Sequence, residues 1–243
     1  MSSPRFYVPA ALAAQTSVTL PEAAAHHAAR VLRLRKEDAV TLFNGTGGEY
    51  AARITAIGKH NVTVAIERHD PVERESPLQV TLVQALSSGE RMDLTIQKAV
   101  ELGVARIVPV ESERAVVRLK GERAAKRVAH WQQVVISACE QCGRNRIPEV
   151  RMISPLDVWL AAEVSDAQRW MLLPGAETAL RDLPQPAKPI ELLVGPEGGL
   201  TDAETDAARR AGYQPVCLGP RVLRTETAAP ALLAALQALW GDF

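Results

Sequence analysis

The segment Leu192–Glu204, LLVGPEGGLTDAE, carries the strongest fold signal in the chain. An apolar run leads into a loop with three glycines and a proline. Thr201 and Glu204 then have the spacing of a capping box, which marks the first turn of a helix. Strand, loop and helix in this order form the repeating unit of a parallel α/β sheet. The segment therefore predicts a buried strand that ends in a glycine-rich loop.

The same alternation continues on both sides of this segment. Short apolar runs alternate with helical stretches from residue 80 to residue 240, which indicates an α/β fold with a mostly parallel sheet and helices on both faces. The predicted strands are Val80–Leu86, Ile107–Val110, Trp170–Leu173, Ile190–Val194 and Val216–Leu218. The predicted helices are Arg91–Leu102, Glu122–Cys142, Asp202–Ala211 and Thr227–Trp240, the last with Pro230 near its first turn.

Residues 1–72 have a different pattern. Short β-branched runs are separated by turn signals such as Asn44-Gly45, which predicts a small antiparallel barrel. One helix is predicted over Pro21–Leu34, with Pro21 at its first position. The polar segment Asp70–Pro77 lacks periodicity and is interpreted as a linker. We therefore predict two domains, residues 1–72 and residues 73–243.

Composition restricts the class of protein. Hydrophobic residues make up 47% of the 243 residues, enough for a sizeable core. No run approaches the roughly 18 apolar residues of a membrane span, and three cysteines do not suggest a disulfide framework. A cytoplasmic, reducing location is expected. Net charge is zero, but Arg106–Arg151 contains ten basic residues against five acidic ones, so local binding of a polyanion remains open.

No metal site is predicted. Cys139 and Cys142 form a C-x-x-C pair, but Cys217 is the only other cysteine, and the pair lies late in a helical pattern. Buried helix cysteines are the favoured interpretation. Four of the five histidines lie in the first 70 residues, away from the glycine loop, so a catalytic histidine is not expected.

A second strand, loop and helix unit spans Cys217–Leu236. Ligands of parallel sheets bind beyond the carboxyl ends of the strands, where both loops are expected. Neither loop has a Walker A or G-x-G-x-x-G pattern, and Pro196 and Glu197 disfavour a phosphate. A ligand without phosphates fits better, because glycines allow close approach to the backbone. From spacing alone, two ordinary tight turns remain an equal alternative.

Seven ordered segments resemble the RsmE family of small-subunit ribosomal RNA uridine methyltransferases, which belongs to the SPOUT superfamily. These segments are the two loop regions together with RFYV at Arg5, HHAARVLRLRKEDAVTLFNGTGGEY at His26, MDLTIQKAVELGV at Met92, PVESERAVV at Pro109 and EQCGR at Glu140. The resemblance implies a PUA-like barrel joined to a trefoil-knotted α/β domain. It also implies S-adenosylmethionine as methyl donor, N3 of a 16S ribosomal RNA uridine as acceptor, and a homodimer.

The resemblance also implies site residues. The catalytic candidates are Arg221, Glu197, Arg144 and Glu140. An arginine fork at Arg221 suits an anionic uracil or a phosphate, although Arg221 and Arg224 could instead pair with Glu197 or Glu226. An ion pair along the helix is the alternative for Glu140 and Arg144. The candidate cofactor-binding residues are Leu173, Pro174, Gly195, Pro196, Glu197, Gly198, Gly199, Leu218, Gly219, Val222, Leu223 and Arg224.

RNA contacts are expected from the N-terminal domain. Arg5, Arg30, Arg33 and Arg35 are the candidates, with Arg30 and Arg33 on one helix face. A solvated helix face is the alternative. Two other functions stay open: another SPOUT methyltransferase acting on transfer RNA or a different atom, and an RNA-binding ribosome assembly factor without catalysis. The sequence identifies no proton acceptor.

Overall fold

The computed structural model describes residues 3–162 and 166–243, which divide into two compact units. The first unit contains the chain up to Glu75 together with Ile136–Ile147, and the second contains Ser76–Val135 together with the rest of the chain from Pro148. The proposed domain boundary after residue 72 lies close to the Glu75–Ser76 junction. The grouping of residues 136–147 with the N-terminal segment was not anticipated from the sequence.

The first unit is built on a five-stranded sheet ordered β1-β3-β4-β5-β2. Its strands are β1 (Arg5–Tyr7), β2 (Ser17–Thr19), β3 (Ala39–Phe43), β4 (Glu49–Ile57) and β5 (Val62–Asp70). The β1–β3 pair is parallel and the other pairs are antiparallel. Alternate residues of β4 and β5 point into one hydrophobic core, as expected for strands with one solvated face.

The helix predicted over Pro21–Leu34 is shorter and irregular. Helix α1 covers Glu22–His26 with Pro21 as its N-cap, and a π-helical turn follows over His27–Val31. Arg33 has a φ of +53°, which ends the helical path. Arg30 lies within the π-helical turn, whereas Arg33 lies two residues beyond its last residue, Val31. The prediction that Arg30 and Arg33 share a helix face is therefore wrong.

The second unit contains a seven-stranded sheet in which every pairing is parallel, which confirms the predicted sheet type. The strand order is β12-β10-β11-β6-β7-β8, with β9 also paired to β7. The strands are β6 (Val80–Ala85), β7 (Arg106–Glu111), β8 (Glu149–Val150), β9 (Ser154–Pro155), β10 (Gln168–Leu172), β11 (Ile190–Val194) and β12 (Gln214–Val216).

The described residues from Ser76 onward form five α-helices and a 3-10 turn over Leu180–Asp182. The α-helices are α2 (Glu90–Glu101), α3 (Gly121–Cys142), α4 (Leu156–Ala161), α5 (Asp202–Arg210) and α6 (Thr225–Trp240). The four predicted helices are confirmed within about two residues at each end, whereas α4 is too short to produce a recognisable period. The predicted capping box is present, since Thr201 Oγ1 accepts from the Glu204 N–H at 3.2 Å and Glu204 Oε2 accepts from the Thr201 N–H at 2.9 Å. None of the helices in the described residues has the length and apolarity needed to cross a bilayer.

Helix α6 begins two residues earlier than predicted. The hydroxyl of buried Thr225 donates to the carbonyl oxygen of Gly195 at 2.9 Å, which ties the first residue of α6 to the glycine loop. Pro230 consequently lies inside the helix and not in its first turn. Because proline has no N–H, the carbonyl of Glu226 lacks its usual helical partner at this turn.

The far end of α6 is fixed by Gln237, whose residue surface is only 1% exposed. Its Oε1 accepts from Ser76 Oγ at 2.8 Å, and its Nε2 donates to the carbonyl oxygen of Leu102 at 2.9 Å. Gly103 follows with a φ of +81°, and a Cβ there would lie 2.7 Å from Gln237 Nε2. One buried amide thus joins α6, the end of α2 and the segment before β6.

A buried charge cluster lies at the β10–β11 pair. Arg169 and Glu191 are direct neighbours across the two strands, and Arg169 Nε lies 3.1 Å from Glu191 Oε2. Tyr213 donates its hydroxyl to the same carboxylate oxygen at 3.0 Å and accepts from Trp159 Nε1 at 3.0 Å. Burial, followed by the charge of Glu191, raises the pKa of Tyr213 far above its usual value, so this phenol stays neutral.

We expect Glu191→Ala to lower the free energy of unfolding by about 3–5 kcal/mol, because Arg169 would remain buried without its partner. Replacing both residues together, as Arg169→Met with Glu191→Leu, should recover most of this loss, since no uncompensated charge remains. Urea unfolding followed by circular dichroism measures both variants. A double variant no more stable than Glu191→Ala would contradict this account.

Candidate active site

Four parallel strands of the second unit end at the same edge of the sheet. The segments that follow β10, β11 and β12, together with the start of α2 after β6, enclose a cavity of about 380 Å³. This is the crevice in which parallel α/β sheets bind their ligands. The two loops singled out from the sequence therefore line one cavity, and the interpretation as unrelated tight turns is not supported.

Eleven of the twelve residues predicted to bind a cofactor line this cavity. The cavity also has lining residues that the sequence did not indicate: Arg91, Leu172, Val194, Leu200, Cys217, Thr225, Glu226 and Ala228. Most of these directly flank the predicted positions in the chain. Arg91 comes from a different element, although the carboxyl-end rule applied to β6 could have pointed to it.

Gly198 is the exception among the predicted cofactor residues. It does not line the cavity, and a Cβ built there would lie 3.2 Å from the Cβ of Arg114. Arg114 Nη1 donates to the carbonyl oxygen of Gly198 at 3.1 Å, and it also lies 3.4 Å from that of Leu200. Gly198 therefore leaves room for Arg114 to pack against the loop, and its contact with a cofactor stays a prediction.

The other glycines of the two loops differ in what surrounds them. A Cβ at Gly195 would lie 3.3 Å from both the backbone nitrogen and Cγ of Leu200, so this glycine is needed by the loop itself. Gly199 (φ +70°) and Gly219 (φ +133°) line the cavity, and a Cβ at either would meet no protein atom within 4 Å. These two positions leave the backbone open to a ligand.

Glu197 lines the cavity but is held by other groups. Its Oε1 accepts from the Ser88 N–H at 3.1 Å, from Ser88 Oγ at 3.2 Å and from Arg91 Nη1 at 2.9 Å. Burial alone would raise the pKa of Glu197, but hydrogen bonds from its own N–H, Ser88 and Arg91 outweigh that effect and lower it. A carboxylate with a lowered pKa is a weak proton acceptor, so this environment does not suit Glu197 to act as a base.

The arginines of the second loop are not paired in the way that was considered possible. Arg221 and Arg224 are exposed at the cavity, and within the described residues neither forms an ion pair. Glu197 and Glu226, the carboxylates proposed as their partners, instead lie 2.9 Å and 3.8 Å from Arg91. Because Arg91 pairs with both carboxylates, the guanidinium groups of Arg221 and Arg224 are available to a ligand.

Glu140 and Arg144 do not line this cavity and belong to the first unit. Glu140 Oε1 accepts from the Tyr7 N–H at 3.0 Å, and burial raises the pKa of Glu140 in spite of this hydrogen bond and of nearby His27 and Arg5. Arg144 lies beyond the end of α3 and donates to Glu75 through Nε at 3.0 Å. Glu140 is half-buried against Tyr7 and Arg144 is buried against Glu75, so the structure does not bring either residue to the cavity, and their catalytic role stays a prediction.

Arg5 also lies inside the first unit, contrary to the prediction that it contacts RNA. Its side chain is only 11% exposed, and it donates to Glu49, to Asn145 Oδ1 at 2.6 Å and to the carbonyl oxygen of Arg144 at 3.2 Å. Its guanidinium carbon also lies 4.9 Å from the ring centroid of Phe43. These contacts occupy the group that a phosphate would need.

The remaining predicted RNA contacts, Arg30, Arg33 and Arg35, are exposed. In the part of the chain that the structure describes, none of their guanidinium groups forms an ion pair. Val31 and Leu32, which lie between them, are 60% and 41% exposed. This short segment therefore presents both positive charge and apolar surface.

The cysteines form no disulfide. Cys139 is buried, its Sγ lies 3.6 Å from the carbonyl oxygen of Arg146, and burial raises the pKa of its thiol to about 12. The thiol therefore remains protonated, which agrees with the interpretation of a packed helix cysteine. Across residues 3–162 and 166–243 there is no group of three or more histidine, cysteine, aspartate or glutamate side chains that could hold a metal ion.

Comparison with known proteins agrees with this arrangement of units. Residues 74–237 match the model of an RNA methyltransferase domain, and residues 20–67 match that of an RNA methyltransferase PUA domain. Ribosomal RNA small subunit methyltransferase E of Buchnera aphidicola subsp. Schizaphis graminum is 36% identical over 239 residues, which cover 98% of this chain and 97% of that protein.

Two solved structures are similar over the full length of both chains. Ribosomal RNA small subunit methyltransferase E from Neisseria gonorrhoeae, bound to S-adenosyl methionine, is 46% identical with a TM-score of 0.93 and coverage of 100% of each chain. A methyltransferase from Legionella pneumophila in complex with the same cofactor is 41% identical, with a TM-score of 0.95 and the same coverage of 100%. The chain therefore belongs to the RsmE-type family of RNA methyltransferases, the family of ribosomal RNA small subunit methyltransferase E.

Proposed function

We propose that this protein transfers a methyl group from S-adenosylmethionine to N3 of a uridine in the 16S RNA of the small ribosomal subunit. Membership of the family supports the coarser statement, that the protein is an S-adenosylmethionine-dependent methyltransferase of small-subunit ribosomal RNA. The observation that carries the proposal is the cavity at the carboxyl edge of the sheet, lined by open glycine backbone and by the exposed arginines Arg221 and Arg224.

The cavity suits a cofactor of this chemistry. Its lining combines apolar side chains, such as Leu173, Leu218 and Leu223, with backbone groups of the glycine loops. The open backbone at Gly199 and Gly219 allows a flat base or a ribose to approach closely. S-adenosylmethionine has no phosphate groups, and this agrees with Pro196 and Glu197 lying where a phosphate-binding loop would need free N–H groups.

When bound, S-adenosylmethionine supplies the electrophilic methyl group on its sulfonium sulfur. The protein then has two tasks: to align N3 of the uracil with that methyl group, and to stabilise the charge that appears on the ring oxygens as N3 loses its proton. Arg221 is the group that we assign to the second task. It lines the cavity, it is exposed, and its planar fork of donors matches an anionic ring edge.

The proton from N3 needs an acceptor other than Glu197. The Glu197 carboxylate is occupied by Ser88 and Arg91, and its lowered pKa reduces its basicity. We therefore reassign Glu197 from catalysis to holding the loop. Once the proton has left, transfer of the methyl group to N3 converts the donor to S-adenosylhomocysteine.

The finer description of the fold is also part of the proposal. A trefoil knot in the second unit is supported by the resemblance and by the path of the chain, in which α6 returns from the β12 edge to pack on α2 and β11. A closed PUA-like barrel in the first unit is supported by the match of residues 20–67 to a PUA domain. We place the domain boundary in the segment after residue 72.

A homodimer in the cytoplasm completes this proposal. Support for a dimer comes from apolar side chains that stay exposed on neighbouring helices of the second unit, Leu94 at 43% and Leu239 at 45%. Sedimentation equilibrium at micromolar concentration would contradict the dimer if it detected only the 26.3 kDa chain. The cytoplasmic location follows from the proposed ribosomal substrate.

The first unit is proposed to contact the RNA through Arg30, Arg33 and Arg35. Their exposed and unpaired guanidinium groups support this role among the described residues. Each lost phosphate contact reduces the slope of log affinity against log salt by about one. The salt dependence of RNA binding by an Arg30→Ala, Arg33→Ala variant therefore measures this contribution.

We expect the modified nucleoside to be N3-methyluridine. Small subunits from a strain without this protein would be incubated with the purified protein and S-adenosylmethionine, and their RNA digested for chromatography and mass spectrometry. Reactions without protein, and reactions with transfer RNA in place of subunits, are the controls. A different methylated nucleoside, or modification of transfer RNA instead, would favour another methyltransferase. Cofactor binding without any product would favour an assembly factor.

Gly199→Ala should weaken binding of S-adenosylmethionine by about tenfold or more, because the new methyl group would project from a cavity-lining position that is open in the protein. Gly212→Ala is a matched control, since Gly212 has a similar φ of +88°, also has open space around a Cβ, and does not line the cavity. Both variants should lose about 1–2 kcal/mol of stability from backbone strain. Calorimetry showing equal cofactor affinity for the two variants would refute the assignment of this loop.

Arg221→Ala should lower both kcat and kcat/KM by about 100-fold to 1,000-fold with little change in cofactor affinity, if its guanidinium acts mainly in the transition state. Arg221→Lys should recover only part of the activity, because it keeps the charge but loses the fork. Arg210→Ala, at another exposed arginine, should behave like the wild type. Single-turnover rates at several cofactor concentrations decide the matter: recovery of kcat at saturating cofactor would remove Arg221 from the catalytic residues.

A further inference from the structure

Arg91 occupies an electrostatically unfavourable position for a cation. It is the second residue of α2, close to the positive end of the helix dipole, where acidic side chains are normally favoured. Glu90 and Asp93, also in this first turn, follow that preference, but Arg91 does not. A cation at this position is therefore not explained by the stability of α2 itself.

The partners of Arg91 come from the two cofactor loops. Its Nη1 donates to Glu197 in the loop after β11 at 2.9 Å, and its Nε lies 3.8 Å from Glu226 in the first turn of α6. Arg91 itself begins the helix that follows β6, and all three side chains line the cavity. One guanidinium thus connects segments that are 106 and 135 residues away along the chain.

Ser88 extends this connection. Its N–H and its hydroxyl both donate to the same Glu197 oxygen that accepts from Arg91. Gly89, between Ser88 and Arg91, has a φ of +51°, a backbone conformation that favours glycine, and the donors on either side of it reach one carboxylate oxygen. Three donors from Ser88 and Arg91 therefore meet one acceptor, the Oε1 atom of Glu197 in the glycine loop.

We propose that Arg91 is a positioning residue that clamps the glycine loop and the start of α6 into the shape that binds the cofactor. It does so through Glu197 and Glu226, without reacting with the substrate. This inference rests on the proposed function of the cavity. The Arg91 side chain is 44% exposed and that of Glu197 is 23% exposed, so the clamp forms at the mouth of the cavity and not in the protein core.

The rival role for Arg91 is direct contact with RNA phosphate, which a partly exposed arginine could also make. The two roles differ in what they affect. A clamp acts on the affinity for S-adenosylmethionine. Most of its effect is lost when Glu197 is removed, because the contact with Glu197 at 2.9 Å is closer than the one with Glu226 at 3.8 Å. An RNA contact acts on the KM for RNA and does not depend on Glu197.

The test uses the full chain and S-adenosylmethionine as the probe, with binding followed by calorimetry and methyl transfer by single-turnover kinetics. Arg91→Ala should raise the Kd for S-adenosylmethionine by about tenfold, less than a buried ionic hydrogen bond would predict because the pair is partly exposed. The kcat at saturating cofactor should stay within about twofold of the wild type. Arg91→Lys should recover part of the affinity, since one ammonium group cannot contact both carboxylates as the fork does.

A double-mutant cycle tests the clamp itself. Glu197→Ala alone should weaken cofactor binding to a similar extent, and Arg91→Ala in that background should have less than about a twofold further effect. Arg209→Ala is the matched control, because it removes an exposed arginine that pairs with Asp206 at 3.1 Å on α5 without touching the cavity. Its affinity for the cofactor should equal that of the wild type.

Several results would overturn the clamp. These are an unchanged Kd in Arg91→Ala, additive effects in the double variant, or a raised KM for RNA with unchanged cofactor affinity. If the wild type does not bind S-adenosylmethionine, the proposed function fails and the clamp fails with it. If the wild type binds the cofactor but the variants bind it equally well, only the clamp fails. If Arg91→Ala does not fold, Glu197→Gln keeps the size of the side chain and should still weaken binding several-fold, and normal affinity in that variant would also overturn the clamp.

Discussion

The second unit depends on the complete burial of β11, the strand Ile190–Val194. Every residue of this strand is buried, and it lies between β10 and β6 with parallel pairing on both sides. A buried backbone must have its N–H and C=O groups paired, and parallel neighbours provide this on both edges. Since parallel strands all end at the same edge, the loops after β10, β11 and β12 have to meet there. The cavity is a consequence of this arrangement.

At the cavity, the charged groups divide into paired and unpaired side chains among the described residues. Glu197 and Glu226 are both near Arg91, which leaves the fork of Arg221 unneutralised by these carboxylates. On the outer side of the glycine loop, Arg114 holds the carbonyl of Gly198. A loop fixed by side chains from two directions keeps its open glycines in place for a ligand. Preorganisation of this kind reduces the cost of ordering the site when the cofactor binds.

In the first unit, two arginines that were predicted as site residues, Arg5 for RNA contact and Arg144 for catalysis, make contacts inside the unit. Arg5 joins Glu49 to Asn145, while Arg144 joins the end of α3 to Glu75. Burial alone would raise the pKa of Glu49, but Arg74 and Arg5 more than offset this and hold it below its usual value. These pairs hold residues 136–147 against the N-terminal segment. Arg30, Arg33 and Arg35 of the same unit remain exposed.

The sequence by itself determined the features that depend on neighbours a few residues apart. The buried strand Ile190–Val194, the capping box at Thr201 and the two glycine loops all follow from local periodicity and spacing. The tertiary structure alone decided which side chains meet, because those partners lie far apart in the chain. Arg91 reaches Glu197 across 106 residues, and Arg5 reaches Asn145 across 140. No local sequence pattern encodes contacts between residues so far apart in the chain. An arginine in the sequence can therefore contact a ligand, hold a loop or form a buried ion pair, and only the tertiary packing decides which of these it does.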